Sequence, residues 1–87
     1  MKTYKIWSDD LGYPEADAFT RTAKHDWWTI EDVIDDLLEA KYHEWENPSP
    51  FDMSVCEVDE SGNKQGDVQT YFVEVDWSPN FYINPKT

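Results

Sequence analysis

The sequence predicts an α+β fold in which one amphipathic helix packs on a small antiparallel β-sheet, in a ββαββ-like order that leaves an extra edge strand open. Three observations carry this reading. Residues Trp27 to Trp45 place apolar side chains at helical spacing, Phe51 to Cys56 alternate apolar and polar, and Val68 to Trp77 resume an aliphatic and aromatic run after a turn with two glycines. With 87 residues the chain forms one domain, 1–87, with a modest core to which five Trp, five Tyr and four Phe contribute much of the apolar surface.

Thr3 to Trp7 is short, aromatic and β-branched, and reads as a first strand with Tyr4 and Ile6 on one face and Lys5 on the other. Ser8 to Glu15 holds Asp, Gly and Pro in the pattern of a turn. Ala16 to Ala23 returns antiparallel as a second strand, although its alanines leave a helical turn open. The helix follows. Thr29 is suited to the N-cap, Asp32 stands three residues later as its acidic box partner, and Trp28 is placed to staple onto Val33. Ile30, Val33, Ile34, Leu37, Leu38, Tyr42 and Trp45 form the apolar face, and Pro48 and Pro50 end the helix near Trp45 or Glu46. Phe51 to Val58 and Val68 to Trp77 read as a hairpin around Asp59 to Asp67, and Phe81 to Ile83 as an edge strand before a frayed tail.

Nineteen acids against seven bases give a net charge of −12, which repels phosphate backbones and anionic membranes. Direct nucleic-acid binding and membrane association are therefore not expected. A basic protein surface is, particularly one whose own ligand is nucleic acid. Cys56 is the only cysteine, so the chain forms no internal disulfide, and a cytoplasmic location with no leader and no membrane span is expected.

No catalytic constellation stands out. His25 and His43 are the two histidines, Cys56 lies inside a strand pattern, and no serine elbow or phosphate-cradling glycine loop is present. Asp59 to Asp67 alternates oxygen side chains but lacks EF-hand spacing and its closing Glu, and His43 with Glu46 has no second ligand pair. The expectation is a non-enzyme with no cofactor and no metal.

The informative surface is the polar side of the helix. Asp32, Asp35, Asp36 and Glu39 follow i, i+3, i+4, i+7, with Glu31 on the flank and Glu46 further along. Glu31 to Glu39 spans about 12 Å, so its five acids approach one charge per 2.4 Å, against about one per 1.7 Å of duplex axis in DNA. The expectation is that Asp32, Asp35, Asp36 and Glu39 are solvent-exposed. Trp27, next to the staple position but not required by it, is the expected exposed aromatic anchor. On the acidic run IEDVIDDLLE, its charge and its size, the chain resembles the small DNA-mimic inhibitors made by phages and mobile elements, such as uracil-DNA glycosylase inhibitors and some anti-CRISPR proteins. The resemblance implies inhibition or sequestration of a nucleic-acid-binding protein, with Trp27, Glu31, Asp32, Asp35, Asp36, Glu39 and Glu46 facing the partner. The alternative is a non-catalytic binding module or complex subunit whose acidity is only a solvated surface.

Overall fold

A computed structural model describes residues 2–41, 44, 50–75 and 81–86. Its elements are β1 (Thr3–Trp7), a 3-10 turn (Glu15–Asp17), β2 (Phe19–Thr22), α1 (Ile30–Lys41), β3 (Phe51–Val58), β4 (Gln69–Val75) and β5 (Phe81–Pro85). The five strands form one sheet in the order β2-β1-β3-β4-β5, antiparallel at every pairing. Among the described residues the α+β fold, one helix on a small antiparallel sheet, is thus the observed one, and the extra edge strand is β5. The segment Ala16 to Ala23 resolves both of its readings, as a short 3-10 turn at its start and a strand thereafter.

Alternation in the strands decides which side chains meet the helix. Ile6 opposes Val55, Met53 opposes Tyr71, and Phe51 opposes Val73, so these residues share one sheet face. Against that face α1 buries Val33, Ile34, Leu37 and Leu38, and the four form one cluster with Tyr4, Ala23 and the strand residues just named. Phe19, Trp28, Ile30, Phe81 and Ile83 pack around its margin. Covering this face is what stabilises a 12-residue helix that would be marginal alone.

The opposite sheet face has its own small apolar patch, formed by Trp7, Cys56 and Val58. Loop residues Lys64 and Gly66 lie against it. The Cys56 thiol donates to the carbonyls of Glu57 and Gly66 at 3.4 Å, and the Lys64 ammonium lies 5.8 Å from the Trp7 ring centre while pairing with Glu15 at 2.9 Å. Cys56 is therefore a buried packing residue. The 59–67 loop is built around Asp59, whose carboxylate accepts from the Ser61 and Asn63 amides at 2.9 Å and from the Gln65 side chain at 3.1 Å. The backbone bonds from Asn63 first, and then from Ser61 and Gly62, favour the charged form and hold its carboxyl below the usual range. Gly62 takes the positive φ that the turn requires.

Two boundaries differ from expectation. β5 continues through Asn84 to Pro85, and the next residue is also held, because the Lys86 amide donates to the Thr70 carbonyl at 2.9 Å and its ammonium lies 2.6 Å from Asp52. The tail is not frayed up to Lys86, and Pro85 is tolerated because β5 is the last strand of the sheet. β4 starts at Gln69 rather than Val68. The expected extensions of the helix to Trp45 or Glu46 and of β4 to Trp77 fall on residues outside those described, apart from Glu44.

Candidate partner-binding surface

The start of α1 follows from the local chemistry of Thr29 and Asp32. The Thr29 amide donates to the Asp32 carboxylate at 2.8 Å, and the Asp32 amide reaches the Thr29 hydroxyl at 3.4 Å, closing a reciprocal capping box. Trp28 packs on the cluster that contains Val33, as a staple requires. This box fixes the rotation of the helix, and the buried stripe then forces Asp32, Asp35 and Glu39 to the side away from the sheet.

The acidic row is not uniformly solvated. Asp32, Asp35 and Asp36 are half-buried, and of the four only Glu39 is exposed, which corrects the expectation of four exposed carboxylates. The physical reason is that two of them have structural partners. Asp32 is spent on the cap, while Asp36, with its side chain 18% exposed, lies 3.0 Å from Lys24 and 4.0 Å from Arg21. Glu31 is half-buried on the flank and lies within range of the Thr29 hydroxyl at 3.4 Å.

Asp35 and Glu39 differ from these. Partial burial, and then the charges of Glu39, Asp32 and Asp36, push the Asp35 carboxyl above the usual range. Among the described residues no base pairs with either of them. Lys2, Arg21, Lys24, Lys41, Lys64 and Lys86, six of the seven bases, are engaged with Glu57, Asp36, Glu44, Glu15 and Asp52. The outer side of α1 therefore carries negative charge that its own cations do not neutralise.

Trp27 stands just before the capped turn and is 72% exposed, as an interface anchor would be. Its ring is not loose. It stacks on His25 with centroids 5.1 Å apart and meets Trp28 edge-on at 6.4 Å, which pre-orders a large apolar contact beside the acidic row. Glu46 lies outside the described residues. Among the described residues no group of three or more His, Cys, Asp or Glu side chains is placed to hold a metal ion.

Sequence reasoning missed the part that Arg21 and Lys24 play. Their spacing from Asp36 carries no local signal, since the contact exists only once β2 lies beside the helix. The chain has no significant match to any family model, curated protein or solved structure.

Proposed function

We propose that this protein binds the basic surface of a nucleic-acid-binding protein through the outer side of α1 and competes there with nucleic acid. An enzyme of a host defence system against phages or mobile elements is the partner class that fits such an inhibitor. The observation that carries the reading is the charge at Asp35 and Glu39, which no base among the described residues pairs with, while burial first and then the neighbouring carboxylates hold the Asp35 carboxyl above its usual range. A cationic groove would supply that relief, and a net charge of −12 would steer the encounter. Asp32 and Glu31 extend the charged side, and Trp27 adds the apolar contact that slows dissociation.

The exposed Trp27 also favours a second reading, a binding module that docks through its aromatic corner while the acids only keep the surface solvated. Salt separates the two, because charge-driven association weakens as ionic strength rises and aromatic docking does not. The decisive experiment isolates the partner on the immobilised protein and then adds duplex DNA. Displacement by DNA supports mimicry. A partner that holds DNA and this protein at once, independently, overturns it in favour of the binding module.

A further inference from the structure

We propose that the cleft between the start of α1 and the sheet is a socket for an arginine side chain offered by the partner's basic surface. The cleft encloses about 360 Å³ and is lined by Tyr4, Trp28, Asp26, Glu57 and Asp67 among others, with Lys2 at its rim. Three carboxylates and one ammonium leave it two negative charges. Lys2 is engaged with Glu57 at 3.7 Å, so Asp26 and Asp67 are left without a cationic partner among the described residues. Trp28 supplies an aromatic wall, and a second hollow that shares Lys2, Asp26 and Trp28 continues the opening past His25.

Tyr4 is the independent pointer to a ligand in the cleft. It is only 4% exposed, yet its hydroxyl has no hydrogen bond to any described residue, unlike Tyr71, whose hydroxyl donates to Gln69 at 3.0 Å. No side-chain polar atom among the described residues is fully enclosed without a partner, so the Tyr4 oxygen must reach the free space of the cleft that Tyr4 lines. A hydroxyl that opens into the cleft in this way is free to bond a polar group entering it, in exchange for water. A guanidinium fits every wall. Its planar fork donates to the Tyr4 oxygen and to the carboxylates of Asp26 and Asp67, and its face stacks on Trp28.

This inference rests on the proposed function only in supposing that the partner is basic. The test titrates the isotopically labelled full chain with acetyl-Gly-Arg-Gly-amide, and separately with the same peptide carrying neutral citrulline. The arginine peptide should move the Trp28 indole N–H and the Gly66 and Asp67 amides saturably, and the citrulline peptide should not. Asp26→Asn with Asp67→Asn should weaken binding about tenfold, and Tyr4→Phe, which keeps the ring, should weaken it about threefold, in line with losing charge-assisted and neutral hydrogen bonds respectively. Equal shifts from citrulline, shifts confined to Asp35 and Glu39, or undiminished binding by the double variant would overturn the socket. The tripeptide reports on the socket whatever the partner is. A socket that fills while the captured partner still holds DNA refutes competition alone, and a DNA-displaced partner with an empty socket refutes the socket alone.

Discussion

The Lys24 ammonium donates to the Asp36 carboxylate at 3.0 Å, tying the segment after β2 to the middle of α1. That bond divides an acidic row that looks uniform in sequence into members that hold the fold and members that do not. Asp36→Asn should lower stability by about 0.2–1 kcal/mol, the range of partly exposed ion pairs. Asp35→Asn should leave stability unchanged or raise it, because it removes a half-buried carboxylate crowded by like charges. Urea midpoints of the two single variants check this, and equal losses would show that the row is not divided.

Asp35 and Asp59 should act on stability in opposite directions as pH changes. The folded-state carboxyl of Asp35 is raised by burial and neighbouring acids, so the folded protein binds that proton more tightly than the unfolded chain does. Its contribution to stability therefore grows as pH falls through its raised value toward 3.8 and is absent at neutral pH. Asp59 is held low by the Asn63 and Ser61 amides, so its contribution is present above 3.8 and is lost as pH falls through its lowered value. Carboxyl NMR titration should place Asp35 above Asp59. In Asp35→Asn the stability gain on mild acidification should shrink, whereas in Asp59→Asn the loss at lower pH should shrink.

The fold was legible where one local pattern sufficed. Thr29 and Asp32 announced the helix start, Leu37 and Leu38 its buried side, and the alternation of Phe51, Met53 and Val55 its partner strand. What sequence could not show was set by tertiary neighbours. Asp36 gained Lys24 and Arg21 only because β2 lies beside α1, and that the 59–67 loop is what closes over the buried Cys56 is not indicated by any strand pattern. The Tyr4 hydroxyl is likewise invisible in a strand pattern, which marks Tyr4 as core without saying that its oxygen lacks a partner.

Leu37 should report on the helix-to-sheet interface. It is fully buried in the cluster that joins α1 to β1, β3 and β4, so Leu37→Ala removes apolar contact and leaves a cavity that neighbours on two layers cannot readily fill. The expected loss is about 2–5 kcal/mol, measured by urea or thermal unfolding. A loss below about 0.5 kcal/mol would mean that the helix does not seat on the sheet as described.

The charged side of α1 should control the rate at which the partner is found. Asp35→Lys with Glu39→Lys reverses the two carboxylates that have no base partner among the described residues, and spares Asp32 in the capping box and Asp36 in its pair with Lys24. The variant should therefore stay folded, with an unchanged or higher melting temperature, which reversal at Asp32 and Asp36 would not allow. Against the captured partner its association rate constant at low salt should fall by about tenfold or more, the range in which electrostatic steering acts. Raising the salt should slow the unmodified protein toward the variant, because screening removes the advantage that reversal has already destroyed. Stopped-flow association at two ionic strengths decides the matter. If the folded variant associates as fast as the unmodified protein at both, the acids of α1 are a solvated surface and binding must be sought at Trp27.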